Sequence, residues 1–279
     1  MAIFLALFSS ALWGGADFKG GQLSKKFPPI AVAGVSQAIG LLFGVTLLFV
    51  SGGWSPPNLN WSGYFLNGVI AGFSGYIGLL SLYAGLATGR MGVVSPVSSL
   101  CALVPLAYSL LRGERLTTLQ GVGIAIACAG AFCASGPEFS GGAPLRPLFL
   151  AFCAALGFGV ALIFMARGSH SEVLLTMVSM RATTFLFSTF MALKYQSFGG
   201  LSRRQWRPLI FIGVADFSAN LLLGVASTLG MLSITMVLGS LFPLMVVFLA
   251  FIILHERLHR IQYLGIFLAL LGVAAISSQ

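Results

Sequence analysis

Apolar runs of about 20 residues, each long enough to cross the hydrocarbon core of a bilayer as a helix, follow one another along the chain with short polar joints between them. The first covers Ala2 to about Leu23 and ends at Lys25, Lys26, Pro28 and Pro29. Ile30 to Val50 follows, then a loop rich in Gly, Pro and Asn from Ser51 to Asn60, where no helix would continue. Trp61 and Tyr64 stand where aromatic side chains settle at a membrane interface. The third run is Tyr64 to about Leu86, the fourth Met91 to Leu111 and the fifth Thr117 to Ala134. After a polar stretch rich in Gly and Pro come Pro147 to Arg167, Glu172 to Lys194, Pro208 to Gly230, Leu232 to Leu254 and Ile261 to Ser277. The pattern predicts ten transmembrane helices.

Composition agrees. Hydrophobic residues make up 58% of the chain and charged ones 8%, against about 25% charged in a soluble domain. A fold in water would leave too much apolar surface uncovered. The first run opens without a basic segment or a small-residue cleavage site, so it is expected to be retained as a span. The net charge of +9 suits anionic lipid headgroups, and no exposed basic domain offers itself to nucleic acid. Cys101, Cys128, Cys133 and Cys153 fall in or at the edges of apolar runs, as small packing residues; they form no disulfide or metal pattern. His255 and His259 flank Glu256 at HExxH spacing, and His170 lies at another span end. Zinc would want a third ligand and burial, whereas this stretch also carries Arg257 and Arg260 and reads as interfacial. No metal or cofactor is expected.

The chain also repeats itself. Leu111-Arg112-Gly113-Glu114-Arg115-Leu116 is echoed by Leu254-His255-Glu256-Arg257-Leu258, 142 residues later. At the same offset Gln120 meets Gln262, Gly123 meets Gly265, Ala127 meets Ala269 and Gly130 meets Gly272. Upstream the offset is 141 for Gly89, Ser99 and Leu100 against Gly230, Ser240 and Leu241, and 144 for Ala11-Leu12 against Ala155-Leu156. A repeat this long is a bundle rather than a solenoid module. The expected division is 1–134, a linker at 135–146, and 147–279. Five spans per half is odd, so the second copy enters from the opposite side. The result is an all-α membrane protein of two inverted five-helix repeats, a design many secondary transporters use. The stripe Gly123, Ala127, Gly130 and its copy predict a close seam between the fifth and tenth helices. Lys25, Lys26, Arg90, Arg146, Lys194, Arg203, Arg204, Arg207, Arg257 and Arg260 share one side and outweigh Arg112, Arg115 and Arg167 on the other. Taken alone, the positive-inside rule puts both termini outside.

Ten spans, two copies ending in a Gly-Glu-Arg-Leu-type joint before a Gly-rich helix, and Leu12-Trp13-Gly14 in the first span resemble the EamA-type branch of the drug/metabolite transporter superfamily, over essentially the whole chain. Ser95-Pro96, Val104-Pro105 and Gly239-Ser240-Leu241-Phe242-Pro243 are also similar to that branch. The resemblance implies a multi-pass protein of the inner or plasma membrane that exports small polar metabolites, such as amino acids, by alternating access. Protons are the candidate coupling ion, and a monomer or weak homodimer is expected. Two departures stand out. His255 replaces the Gly of the first joint, and Pro105 and Pro243 lie nine and thirteen residues before Glu114 and Glu256, so the halves are expected to kink differently.

Asp17, Arg181 and Asp216 lie inside apolar runs, where an ionised group costs several kcal/mol, and each is expected to face a wet cavity or one another. At about 1.5 Å per residue, Arg181 lies roughly 15 Å along the seventh span and Asp216 roughly 12 Å into the antiparallel eighth, so their depths nearly coincide. The repeat pairs Arg181 with Gln37 and sets Asp216 close to Ala71. Lys19, beyond Asp17, reads as snorkelling to the interface. In one reading Arg181 and Asp216 form a buried lock between helices. In the other, Arg181 offers a planar fork to a substrate carboxylate or phosphate while Asp216 holds its geometry. Trp13, Asp17, Gln37, Tyr76, Tyr83, Ser98, Ser99, Asn220 and Ser240 are the remaining candidates for walls and polar handles of a small-molecule site; for each, helix packing is the alternative. An intramembrane enzyme acting on a lipid or isoprenoid would need a clustered acid/base or metal constellation, and six acidic residues with three interfacial histidines supply none. A channel would need a filter and a primary pump a P-loop; the sequence has neither. Secondary transport of a small molecule, not enzymatic turnover, is the expectation.

Overall fold

The apolar runs fold as α-helices in the computed structural model, which describes residues 1–57, 59–88, 94, 97–134, 145–195, 200–253, 255 and 259–277. In order these are α1 (Ala2–Ser24), α2 (Pro29–Ser51), α3 (Tyr64–Thr88), α4 (Leu103–Leu111), α5 (Thr118–Ala134), α6 (Leu145–Ser169), α7 (Val173–Tyr195), α8 (Trp206–Leu229), α9 (Leu232–Gly239), α10 (Phe242–Ile253) and α11 (Arg260–Ser277), with no strand among the described residues. Seven stretches are long and apolar enough to cross a membrane: Pro29–Ser51, Tyr64–Ala87, Leu145–Ser169, Val173–Lys194, Arg203–Leu229, Leu232–Ile253 and Arg260–Ser277. Val97–Leu111 and Thr118–Ala134 are apolar but shorter, and α1 carries Asp17 and Lys19 within its run. Seven of the ten expected spans are therefore long and apolar enough by themselves among the described residues. Helix α6 starts at Leu145, so Leu145 and Arg146, expected in the linker, form its first turn. The rest of that linker, Gly89-Arg90-Met91, Ser95-Pro96, Leu254 and Glu256-Arg257-Leu258 lie outside the described residues.

The helices pack symmetrically under exchange of the two halves. α1 lies along α8 as α6 lies along α3, α2 packs on α8 as α7 packs on α3, and α5 pairs with α11 and α2 with α7. The symmetry reaches single atoms. A methyl built on Gly14 would fall 2.6 Å from the Phe242 carbonyl oxygen, and one on Gly159, 145 residues later, 2.8 Å from the Cys101 carbonyl oxygen. Phe242 stands 141 residues after Cys101. Each half thus sends a glycine of its first helix into a break in a helix of the other half. Those breaks are a 3₁₀ turn at Leu100–Ala102, preceding α4, and the turn at 240–241 between α9 and α10. Ser99-Leu100 and Ser240-Leu241 are repeat equivalents, so the two helices break at the same place although Pro105 and Pro243 do not correspond. Proline's missing N–H leaves the carbonyl four residues back without its helical donor, and the two prolines free Cys101 and Gly239 respectively.

The α5–α11 seam is glycine against backbone. A methyl on Gly272 would meet the Ala127 nitrogen at 2.5 Å, and one on Gly130 the Gly265 carbonyl at 2.8 Å. Interhelical approach this close gains dispersion contact that bulkier side chains would prevent.

The joint that announces the repeat has a backbone reason. Gly113 has φ +91°, its N–H donates to the Leu110 carbonyl at 3.0 Å, and the Glu114 N–H donates to the Ser109 carbonyl at 3.0 Å. This pair of bonds is the Schellman ending, which favours glycine at the left-handed position. His255, its counterpart, also has positive φ, +53°, at an intrinsic cost of about 1–2 kcal/mol for an L-residue. The left-handed step recurs even where the glycine does not.

This turn aims Glu114 at the first turn of α9. The Ser233 hydroxyl donates to Glu114 Oε1 at 2.7 Å, and the Ser233 N–H lies 3.3 and 3.4 Å from the two carboxylate oxygens. A carboxylate there meets helix N–H groups that lack intrahelical acceptors, and the positive end of the dipole. Glu114→Ala is expected to destabilise the protein by about 1 kcal/mol, in the range of a lost helix cap, and Glu114→Gln by less. Thermal melts of Glu114→Ala, Ser233→Ala and the double variant check it; strictly additive losses would mean that the contact between the halves carries nothing.

Candidate functional site

The polar residues of the interior converge where the two halves meet. Arg181, on α7, is buried, and its Nη2 lies 2.8 Å from Asp216 Oδ2 on α8. Gln37, on α2, joins them: its Oε1 accepts from Arg181 Nη1, and its Nε2 donates to Asp216 Oδ2 at 2.9 Å. Both ends of the amide are used, so its orientation is fixed. Asn220, one turn after Asp216, donates from Nδ2 to the Asp216 carbonyl at 2.7 Å and reaches Asp216 Oδ1 at 3.3 Å. Thr184, one turn after Arg181, lies 3.4 Å from Gln37 Oε1. Beneath the guanidinium is the Phe217 ring, with its centroid 6.0 Å from Arg181 Cζ. Ser188, a further turn along α7, hydrogen-bonds the Tyr76 hydroxyl at 2.6 Å.

Gln37, Tyr76, Arg181, Thr184, Asp216 and Asn220 of this network border a cavity of about 80 Å³. Trp13, Asp17, Gln37, Tyr76, Arg181, Asp216 and Asn220, all candidates from the sequence, line it. Tyr83, Ser98, Ser99 and Ser240 lie outside its lining. Tyr83 is buried, with its hydroxyl against Gly20, and Ser240 turns its hydroxyl to the Val237 carbonyl at 2.8 Å. The sequence reading missed Thr184, Cys101, Phe158, Met165, Met180 and Phe242, which also line the cavity. Thr184 was available in principle, three residues after Arg181 on the same helical face.

The lining obeys the repeat in position and departs from it in chemistry. At an offset of 145, one more than the 144 expected from Ala11-Leu12 and Ala155-Leu156 and set by the equivalent contacts of Gly14 and Gly159, Trp13 answers to Phe158, Asp17 to Leu162, Ala71 to Asp216 and Gly75 to Asn220; Gln37 answers to Arg181 at 144, and Cys101 to Phe242 at 141. All twelve border the cavity, which therefore sits where the halves exchange. The profile of the EamA-like transporter family matches residues 1–136 and 145–278. The chain belongs to this family. As an EamA-like protein it is a multi-pass membrane transporter of the drug/metabolite type, working on a small molecule in a lipid environment. A solved structure titled "Crystal structure of protein" shares 18% identity with this EamA-like chain at a TM-score of 0.78, covering 99% of this chain and 96% of the other, which shows a common fold. No curated protein matches.

Proposed function

We propose that this EamA-like transporter is a secondary transporter that exports small polar metabolites of the amino-acid class by alternating access around the central cavity. In this reading the chain has ten spans arranged as two inverted five-helix repeats, 1–134 and 147–279, joined by 135–146, in the inner or plasma membrane. The observation that carries it is the cavity on the exchange axis, lined by equivalent positions of both halves and holding Arg181, Asp216 and Asp17. Two similar bundles can trade their packing and open the same site to opposite sides at similar energy.

Size narrows the cargo. A cavity of about 80 Å³ exceeds several-fold the roughly 10–15 Å³ needed to hold a single water, and so has room for a small solute. Arg181 receives the carboxylate of the cargo with Asp216 and Gln37 holding its fork in place. Trp13, Tyr76 and Asn220 supply apolar wall and amide or hydroxyl contacts, Asp17 takes part from α1, and Tyr83, Ser98, Ser99 and Ser240 shape the surrounding helices. Protons are the coupling ion. Purified protein in liposomes, offered labelled amino acids with and without a pH gradient, is expected to show saturable flux of small amino acids that the gradient accelerates. Folded protein that moves none of the panel would reject the reading.

A further inference from the structure

Two carboxylates, Asp17 and Asp216, and one guanidinium, Arg181, are the charged groups among the described residues lining the cavity. Arg181 and Asp216 are already engaged with each other and with Gln37. The Asp17 carboxylate has no hydrogen bond or ion pair with any described residue. Lys19 does not serve it: two residues on, it leaves that face of α1, donates to Gln22 Oε1 at 3.3 Å and sits 5.6 Å from the Phe18 ring centroid. Across the exchange axis the repeat puts Leu162, which has no charge to give. A carboxylate at this depth is expensive without a counter-charge, and a cationic group on the cargo would supply one.

What surrounds Asp17 suits an organic cation. Trp13 stands one turn before it and also lines the cavity, as does Phe158, the repeat counterpart of Trp13. An aromatic face attracts an ammonium group and does nothing for a bare proton on a carboxylate. The cavity also has room for several non-hydrogen atoms. Resting on the transport reading above, we propose that the cargo is held by its ammonium group at Asp17, beside the Trp13 indole. The transporter then selects small primary amines, amino acids among them, over carboxylates that lack an amine.

The test is equilibrium binding to purified protein in lipid nanodiscs, by calorimetry, with alanine, serine and ethanolamine against propionate and lactate. Alanine, serine and ethanolamine are expected to bind saturably, and propionate and lactate are not. Asp17→Asn is expected to weaken amine binding by roughly 30-fold or more, the effect of removing one partner of a buried charge pair, while Asp17→Glu keeps part of it. Propionate or lactate binding as well as alanine overturns the proposal, as does the absence of saturable binding by all three amines. Unchanged amine affinity in folded Asp17→Asn also overturns it and leaves Asp17 a proton carrier at most. If Asp17→Asn does not fold, Asp17→Glu and the wild-type comparison of amines with carboxylates decide. Amine binding without flux in liposomes rejects the transport reading and leaves the Asp17 site; flux of alanine undiminished in Asp17→Asn rejects the site and leaves transport.

Discussion

Leucine at Gly130 or Gly265 is expected to prevent accumulation of folded protein, whereas leucine at Gly121, four residues before Ala125 on the same helix, is expected to be tolerated. The three glycines sit in helices that look alike in sequence, but what their missing side chains would touch differs. A Cβ on Gly130 would lie 2.7 Å from Ala269 Cα and 2.8 Å from the Gly265 carbonyl oxygen, and one on Gly265 would lie 2.7 Å from Ala134 Cα. These are backbone atoms, which cannot swing aside, so α5 and α11 must part along their length. At Gly121 nothing lies within 4 Å. Overpacking a core typically costs 1–3 kcal/mol even where neighbouring side chains can yield, and here they cannot, so a loss of about 3 kcal/mol or more is expected. Alanine sharpens the comparison, because replacing a mid-helix glycine should by propensity alone gain about 1 kcal/mol. A drop in melting temperature for Gly265→Ala therefore isolates the contact. Yield of monodisperse protein and thermal melts in detergent are the measurements. Wild-type values for leucine at both Gly130 and Gly265 would show that the seam is not what holds these helices.

Arg181→Leu alone should be severely destabilising, and Arg181→Leu combined with Asp216→Leu should recover most of that loss without recovering flux. The single change leaves Asp216 in a largely apolar interior with only Gln37 and Asn220 as donors, and breaking a buried pair in this way costs about 3–5 kcal/mol. Removing both charges takes away the desolvation cost together with the attraction, which is often neutral or stabilising. Flux then separates a lock from a binding group. If Arg181 receives the cargo carboxylate, the double variant folds but carries amino acids poorly. Arg181→Lys also folds and carries poorly, since an ammonium lacks the two-pronged planar donor. Near-normal amino-acid flux in the double variant, at matched protein level, would remove Arg181 from the site and leave it a structural pin.

Much of this architecture was legible before any coordinates. Helix type and order follow from run length, because in a bilayer each backbone polar group must be satisfied within its own segment. That Arg181 and Asp216 lie at nearly one depth was legible too, since rise along a helix is a fixed distance per residue. The seam was legible because Gly and Ala at helical spacing, written twice, leave an open groove on one face of each helix. The sequence also marked Gly113 as a turn, although the left-handed φ of His255 shows that the conformation, and not the residue, is what the repeat preserves.

Rotation about the helix axes was not legible. In a soluble helix a polar face and an apolar face give the core direction away; in lipid both the packed and the outer faces are apolar, so Tyr83 and Trp13 look equally suited to a cavity. Only packing decided that Trp13 faces the cavity and that Tyr83 is wedged against Gly20. Only packing showed that Thr184, Phe158 and Phe242 complete the lining, and that Glu114 reaches Ser233 in the other half. The sequence by itself determined that two alike bundles exist and which charges they bury. The tertiary structure decided which of those charges are satisfied by one another and which is left facing the cavity, because pairing depends on side-chain directions around crossing helices, and depth along a single chain carries no record of those.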